Sequence, residues 1–233
     1  MTVYASLIHF DVGQKSRVSQ MPASNGFLVI FDLDQTAICA MSGKPQNISK
    51  DYGEPFTIDE SLYTVYVRPG VRELIDWIYA QGFKVGVWTA ATLAYGTAVT
   101  QQVFLKDHPE RQVSPILCSY HCDISERQFR GVKDLNFLFG LPRGLLEFDC
   151  TPDNTVIIDD LDEVLEINPR NCIGIKGFWV SGGRKTSPEC RECDRVKGIL
   201  ARIRQDGSVQ RVIPTIDQPS ASSRVEEESS QTR

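Results

Sequence analysis

The chain has 233 residues, of which 41% are hydrophobic, so it can bury a core within one domain. Its formal net charge of −5 gives no overall basic field, which disfavours nucleic acid as a stable partner. Seven cysteines, an odd number, and a start without a signal-peptide pattern predict an intracellular protein of the cytoplasm or nucleus. We expect no membrane span, because no apolar run approaches the roughly 20 residues that cross a bilayer.

Three segments are predicted along the chain. Residues 1–25 are interpreted as a loosely ordered N-terminal arm that precedes a folded domain over 26–205. Residues 206–233 are predicted to form a disordered tail, because a stretch rich in Ser, Gln and Glu lacks the apolar content to fold alone. We expect the domain to carry the function.

The domain opens with Phe27–Phe31, five apolar residues that predict a short buried strand. This strand leads directly into Asp32, Asp34 and Thr36, and carboxylates crowded at the end of an apolar strand are usually tolerated when a cation or a catalytic role compensates them. Residues 42–66 then predict loops and a small inserted hairpin, with one strand at Leu62–Val67.

Helices alternate with short apolar strands after this insertion. Pro69 is predicted to lie in the first turn of a helix that ends at Gly82. Residues 119–131 are interpreted as a polar connection. The other predicted strands are Phe83–Trp88, Ile116–Cys118, Thr155–Ile158 and Cys172–Ile175. Further helices are predicted over 91–106, 133–139 and 161–167. A last helix is predicted to have Ser187 as its N-cap and Pro188 at the next position.

This alternation predicts an α/β fold, a three-layer sandwich around a mainly parallel central sheet. In such sheets ligands bind outside the carboxyl ends of the strands, so we expect the polar groups that follow three of the strands to converge in one crevice. Those groups are Asp32, Asp34, Thr89, Asp159 and Asp160. Lys133, at the start of its helix, could add a positive charge there.

The residue types in this crevice predict phosphate chemistry. Several carboxylates suit a hard cation such as Mg²⁺, whereas a hydroxyl and an ammonium group suit the oxygens of a phosphate. A carboxylate held beside that phosphate can attack it and form an aspartyl-phosphate intermediate. The cation and Lys133 would offset the repulsion between the attacking oxygen and the anionic substrate.

The motifs resemble those of the haloacid dehalogenase superfamily, whose Rossmann-like fold is of the predicted type. Within it, the chain is similar to the phosphatases of the RNA polymerase II carboxy-terminal domain and their small relatives, also called NLI-interacting-factor-like. The matching segments are DLDQT at 32–36, VRPGVRELIDWI at 67–78, VWTAA at 87–91, GVKDLNFLFG at 131–140 and IIDDLDEVLEINPRNCIGI at 157–175.

The resemblance implies a role for each residue of the crevice. It makes Asp32 the nucleophile and Asp34 the acid that protonates the leaving oxygen and then the base that activates water. It implies that Thr89 and Lys133 hold the phosphate. It also implies a Mg²⁺ site made by Asp32, the backbone carbonyl of Asp34, Asp159 and Asp160.

The resemblance further implies a phosphoserine or phosphothreonine protein as substrate, with the RNA polymerase II carboxy-terminal domain as one candidate, and a small insertion in place of a large cap. The chain departs from the family pattern at Gln35, where Glu is usual, at Ala37, where Leu is common, and at Leu161, where a small polar residue often follows the acidic pair. These departures concern the substrate and the subfamily more than the chemistry.

Several alternatives stay open from the sequence. The same site could hydrolyse another phosphate ester, such as a nucleic-acid end or a small metabolite, or the fold could serve as a non-catalytic binding module. Asp160 could cap the helix after it instead of binding metal.

Three further groups of residues have a structural interpretation beside a functional one. Cys190 and Cys193 form a lone Cys-x-x-Cys without a second pair for zinc, which we interpret as two turns of one helix. Cys118, His121 and Cys122 are interpreted as buried thiols and a surface histidine. Phe56, Tyr63 and Tyr66 either line a groove for a proline-containing peptide or pack in the hairpin.

Overall fold

The computed structural model describes residues 26–43, 45, 48–58, 62–146, 148–181 and 185–219. The predicted arm over 1–25 and residues 220–233 lie outside these ranges. The strands are β1 Leu28–Phe31, β2 Ile38–Ser42, β3 Phe56–Ile58, β4 Tyr63–Val67, β5 Lys84–Trp88, β6 Val113–Leu117, β7 Thr155–Asp159 and β8 Cys172–Gly174. The helices are α1 Val71–Ala80, α2 Leu93–Thr100, α3 Ser119–Gln128, α4 Asn136–Phe139, α5 Asp162–Ile167, α6 Glu192–Asp206 and α7 Val209–Val212.

The central sheet has five parallel strands in the order β6-β5-β1-β7-β8. All four residues of β1 are buried, because its neighbours β5 and β7 pair with it on both sides and helices cover both faces of the sheet. The predicted α/β fold with a parallel sheet is therefore confirmed. Its middle strand is the one that leads into Asp32.

Each face of the sheet has its own hydrophobic core. Val29 and Phe31 of β1 pack with residues of α1, α6 and α7 on one face, whereas Leu28 and Ile30 pack with residues of α4 and α5 on the other. This alternation follows from the two-residue period of a strand, which points successive side chains to opposite faces. The arrangement confirms the predicted three-layer sandwich.

The insertion between β1 and α1 is a three-stranded antiparallel sheet in the order β2-β4-β3. The prediction of a hairpin over 42–66 missed β2, which begins at Ile38 and pairs with β4 along its whole length. Ile38 and Val65 extend the core beneath the insertion. The insertion is thus larger than predicted and starts immediately after the acidic motif.

Several predicted helix boundaries are wrong. Pro69 lies before α1, because Gly70 with a φ of +81° is the N-cap. The segment after Cys118 is not a polar connection but α3, which buries only His121, Cys122 and Ser125 and therefore shows little apolar periodicity. Lys133 also precedes its helix, since α4 begins at Asn136.

The segment after Gly207 is ordered and contributes to the core, so the predicted tail boundary at 206 is wrong for 207–219. Val209, Val212 and Ile213 are buried beside α1 and α6, because they extend the apolar stripe of α6 after one turn. Farther on, the side-chain amide of Gln218 bonds the edge strand β8, accepting from Gly174 N at 2.9 Å and donating to Cys172 O at 2.8 Å. No helix in the described ranges is long and apolar enough to cross a membrane.

The contact between Gln218 and β8 gives a test of this correction. We expect Gln218→Ala to lower the free energy of unfolding by about 1 to 2 kcal/mol, because two hydrogen bonds to the sheet edge are lost. Gln128→Ala is the matched control, since Gln128 is exposed at the end of α3. Urea unfolding followed by fluorescence measures both, and equal midpoints for the two variants would contradict the assigned role of Gln218.

Candidate active site

A buried cluster of charges lies at the carboxyl ends of β1 and β7. The Lys133 ammonium donates to Asp32 Oδ1 at 2.5 Å and to Asp159 Oδ2 at 2.7 Å. All three side chains are almost inaccessible to solvent. Because a buried charge needs a partner, the ammonium group of Lys133 is held between the two carboxyl groups.

The electrostatics of the cluster are dominated by burial and by an excess of negative charge. Burial raises the pKa of Asp32 to about 8, with Asp159 and Asp160 adding to the rise and Lys133 opposing it. Burial alone would lower the pKa of Lys133, but Asp32 and Asp159 raise it above its ordinary value. Lys133 therefore stays a cation, and the Asp32 carboxyl group beside it has a raised proton affinity.

These carboxylates fit a divalent cation. One oxygen each from Asp32, Asp159 and Asp160 lies within 4.8 Å of the others, and such a buried set of oxygens suits a hard cation like Mg²⁺. The Thr36 hydroxyl donates to Asp160 Oδ1 at 3.1 Å and so orients that carboxylate. The side chain of Asp34 is not part of this set.

The alternative role of Asp160 as a helix cap is wrong. The N-cap of α5 is Leu161, and its backbone N–H donates to Asp159 Oδ1 at 2.9 Å. Asp159 therefore binds the residue that precedes α5, and the carboxylate of Asp160 accepts from Thr36. Asp159 and Asp160 both lie within the acidic cluster with Asp32.

Asp34 is held by a tyrosine that the sequence analysis did not select. The Tyr95 hydroxyl donates to Asp34 Oδ1 at 2.6 Å, and the Tyr95 ring packs edge to face on Tyr63 at a centroid distance of 5.7 Å. Burial raises the pKa of Asp34, while the hydrogen bond from Tyr95 and the charge of Lys133 lower it. Asp34 is thus a half-buried carboxyl group whose proton affinity is set by its neighbours.

The chain turns sharply between Asp34 and β2. Gln35 has a φ of +60°, so it does not continue the extended backbone of β1. Its carbonyl accepts from Phe178 N at 2.7 Å and from Arg68 Nη2 at 2.7 Å. Arg68, which is 2% exposed, also donates to Thr36 O at 2.5 Å and so supports the loop that follows the acidic residues.

Thr89 follows β5 and is buried at the same edge of the sheet as Asp32. Its hydroxyl accepts from Ala91 N at 3.1 Å, and its backbone N–H donates to Leu117 O at 3.0 Å. Helix α2 approaches so closely that a Cβ at Gly96 would lie 3.0 Å from Thr89 Cγ2. A glycine lowers the helix propensity of α2, and the close packing of α2 against Thr89 explains why position 96 is a glycine.

Lys133 reaches the cluster from a loop between α3 and α4. Its φ of +58° is uncommon for a residue with a side chain. Asn168 stabilises this loop by donating to Lys133 O at 3.0 Å and accepting from Leu135 N at 2.9 Å. Nothing in the sequence predicted this role for Asn168, which is marked only by its position before a proline at the end of α5.

The other residues singled out from the sequence lie outside the charge cluster. His121 is buried, not at the surface as predicted, and its Nδ1 accepts from Cys118 N at 3.0 Å at the start of α3. Tyr66 is buried with Tyr52 and Phe178 beneath the insertion, which favours the packing interpretation for it. Tyr63 is half-buried and contacts Tyr95.

Comparison with known proteins gives consistent matches. The sequence model for the NLI interacting factor-like phosphatase family matches residues 27–209. CTD phosphatase-like protein 355R of Invertebrate iridescent virus 6 is 32% identical over 75% of this chain and 97% of its own length. Its namesake in Invertebrate iridescent virus 3 is 30% identical over 65% of this chain and 84% of its own length.

A solved structure was also found among the matches. The structure of Fcp1, an essential RNA polymerase II CTD phosphatase, is 18% identical and superimposes with a TM-score of 0.49. The match covers 86% of this chain and 56% of the other, so this chain spans just over half the length of that structure.

Proposed function

Because the chain belongs to the NLI interacting factor-like phosphatase family, we propose that it is a Mg²⁺-dependent protein phosphatase that works through an aspartyl-phosphate intermediate. The observation that carries the proposal is the cluster of Asp32, Lys133 and Asp159 beside Asp34 at the carboxyl edge of the sheet. A lone buried carboxylate would repel a phosphate ester. Here the lysine partly neutralises it, which makes approach of the anion feasible.

The first half of the proposed reaction transfers the phosphoryl group to the chain. Lys133 holds Oδ1 of Asp32, and the other oxygen, Oδ2, attacks the phosphorus. The bond from phosphorus to the ester oxygen breaks, and Asp34 gives its proton to the leaving alkoxide. Burial, which raises the pKa of Asp34, favours the protonated form that this step requires.

The second half releases phosphate and restores the carboxylate. Asp34, now ionised, accepts a proton from water, and the resulting hydroxide attacks the phosphorus of the aspartyl phosphate. The phosphorus–Oδ2 bond breaks, so inorganic phosphate leaves and Asp32 is regenerated. Thr89 and Lys133 are proposed to hold the equatorial oxygens of the phosphoryl group in both steps.

The carboxylates of Asp32, Asp159 and Asp160, with the carbonyl of Asp34, are proposed to hold Mg²⁺. When bound, the cation neutralises negative charge on the phosphoryl oxygens. The buried oxygens of three carboxylates within 4.8 Å of one another support this assignment. Thr36 is proposed to keep Asp160 oriented toward the cation through its hydrogen bond of 3.1 Å.

We propose phosphoserine or phosphothreonine in a protein as the substrate. The names of the viral relatives, which call them CTD phosphatase-like, support this class. The small antiparallel sheet inserted after β1 supports it as well, because a short insertion leaves room for a peptide chain where a large cap would enclose a small metabolite. The carboxy-terminal domain of RNA polymerase II is one candidate within this class.

Two measurements test the proposed function. Phosphate release from a generic aryl phosphate, with Mg²⁺ and with a chelator, is expected to require the cation. A panel of phosphopeptides compared with 5′-phosphorylated oligonucleotides is expected to show turnover of the peptides. Turnover of the oligonucleotides alone would contradict the protein substrate, and absence of any turnover would favour the binding module.

Removal of the Tyr95 hydroxyl tests the proposed role of Asp34. We expect Tyr95→Phe to lower kcat about tenfold, because a hydrogen bond to a charged group contributes about 1.5 kcal/mol or more. The loss of this donor raises the pKa of Asp34, so the pH profile of kcat is expected to move to higher pH.

The control is Tyr63→Phe, which removes a hydroxyl from the ring that packs on Tyr95. It is expected to leave the pH profile in place. A profile that moves equally in both variants, or in neither, would show that Tyr95 does not set the proton affinity of Asp34.

A further inference from the structure

Cys190 and Cys193 are arranged differently from the sequence interpretation. They do not lie on two turns of one helix, because α6 begins only at Glu192 and Cys190 ends a preceding turn in which its N–H donates to Ser187 O at 3.0 Å. Both cysteines line one surface hollow next to Pro69 and Gly70. The pair therefore sits at the start of a long helix and against the segment that leads into α1.

The two thiols differ in exposure to solvent. Cys190 is half-buried, whereas Cys193 is 5% exposed. Burial raises the pKa of Cys193 to about 12, so Cys193 remains a thiol. Of the other five cysteines, only Cys150 is also half-buried.

The two cysteines are three positions apart and line the same hollow. A disulfide needs Cβ atoms about 3.5 to 4.5 Å apart. Because Cys190 lies in the turn before α6 and Cys193 in the first turn of the helix, closing the bond depends on the conformation of that turn. Gly70 packs closely against Cys193, since a Cβ at position 70 would lie 3.2 Å from Cys193 Cβ.

Two contacts connect this pair to the loop after the acidic residues. The Cys193 thiol donates to Pro69 O at 3.5 Å, and the adjacent Arg68 holds Gln35 O and Thr36 O. Glu192, between the two cysteines, accepts from Lys176 N at 3.2 Å, and Lys176 O accepts from Arg68 at 2.6 Å. Both series of contacts lead to Arg68, whose guanidinium group supports the loop at Gln35 and Thr36.

We propose that Cys190 and Cys193 form a reversible dithiol–disulfide pair that peroxide oxidises, and that the disulfide lowers turnover by weakening the support that Arg68 gives to the loop at Gln35 and Thr36. The effect on turnover rests on the proposed function, whereas formation of the disulfide does not. In a reducing compartment such pairs are transient and act as redox sensors, which agrees with a motif that lacks the second pair of a zinc site.

The oxidation is balanced with hydrogen peroxide as the oxidant. The Cys190 thiolate attacks one peroxide oxygen, the O–O bond breaks, and the departing hydroxide takes up a proton to leave as water. The sulfur of the resulting sulfenic acid is attacked by Cys193, the S–O bond breaks, and the second hydroxide leaves as water with the Cys193 proton. Two thiols and one peroxide thus give one disulfide and two waters.

The experiment treats the full chain with hydrogen peroxide, blocks free thiols, and maps disulfides by mass spectrometry of tryptic peptides. We expect a loss of 2 Da in a peptide pair that contains Cys190 and Cys193. Turnover of an aryl phosphate is expected to fall roughly fivefold, as the loss of a hydrogen bond of about 1 kcal/mol implies, and dithiothreitol is expected to restore it.

Two variants control the experiment. Cys190→Ser is expected to abolish both the disulfide and the loss of turnover, while Cys150→Ser, which removes the other half-buried thiol, is expected to change neither. Absence of the Cys190–Cys193 bond, or a bond between other cysteines, would overturn the proposal. If the disulfide forms but turnover does not change, the proposed effect of the disulfide on the loop at Gln35 and Thr36 is wrong. If the reduced chain hydrolyses no phosphate ester, the proposed function fails, and the mass measurement still decides whether the pair forms.

Discussion

Asp32→Asn is expected to lower phosphate release at least about 10⁴-fold, because an amide cannot attack phosphorus as a carboxylate does. Asparagine has nearly the same shape and can still accept the hydrogen bond from Lys133, so the loss is expected to come from chemistry and not from misfolding. Release of inorganic phosphate from an aryl phosphate and from a phosphopeptide, both with Mg²⁺, measures the effect.

The matched control is Asp123→Asn, an identical change at an exposed residue of α3. We expect it to retain wild-type turnover. Circular dichroism is expected to show the same helix content in both variants. Turnover by Asp32→Asn within tenfold of the wild type would contradict the assignment of Asp32 as the nucleophile.

Lys133→Met is expected to lower the free energy of unfolding by about 3 to 5 kcal/mol in the absence of divalent cations, because breaking a buried ion pair leaves charge uncompensated. Here two carboxylates, Asp32 and Asp159, would lose their common partner. Methionine retains the length and apolar stem of the lysine, which limits the loss of packing. Urea unfolding in a chelating buffer measures the effect.

Lys106→Met controls for the change of side chain, because Lys106 is exposed after the turn that continues α2. It is expected to change the free energy of unfolding by no more than about 0.5 kcal/mol. Turnover by Lys133→Met is also expected to be lost, since the phosphoryl group and Asp32 lose their cation. Equal stabilities of the two variants would show that the buried cluster does not depend on Lys133.

Much of the site could be predicted because its chemistry lies at the ends of apolar strands. The four candidate aspartates and Thr89 lie at the ends of strands whose apolar residues predicted that they are buried. A parallel sheet brings the carboxyl ends of its strands to one edge. The carboxylates of Asp32, Asp159 and Asp160 and the ammonium of Lys133 do meet there, as predicted. The side chain of Asp34 instead contacts Tyr95, which is compatible with a role in proton transfer.

The supporting residues could not be predicted, because their partners are distant in sequence. Arg68 resembles a surface charge before a proline, yet it is buried against carbonyls of Gln35, Thr36 and Lys176. Tyr95 lies within a predicted helix, where no periodicity distinguishes a ring that packs from a hydroxyl that donates. Only the three-dimensional fold brings these groups to the acidic motif.

The ordered part of the predicted tail could have been recognised from its apolar periodicity, although the overall composition of the tail predicted disorder. Val209, Val212, Ile213 and Ile216 recur at helical spacing and pack on the core, although Ser, Gln and Glu dominate the residues that follow. Averaging over 206–233 hid this short stripe. Periodicity was therefore a better guide than composition at this boundary.

The central claim is that Asp32 carries the phosphoryl group during turnover, and trapping that species tests it most directly. A phosphopeptide is mixed with the Mg²⁺-loaded chain, the reaction is quenched in acid within milliseconds to seconds, and peptides are mapped by mass spectrometry. The account predicts an acid-stable, base-labile gain of one phosphoryl group on the peptide that contains Asp32, and none in Asp32→Asn. A phosphoryl group on another residue, or rapid turnover without any phosphorylated chain, would contradict it.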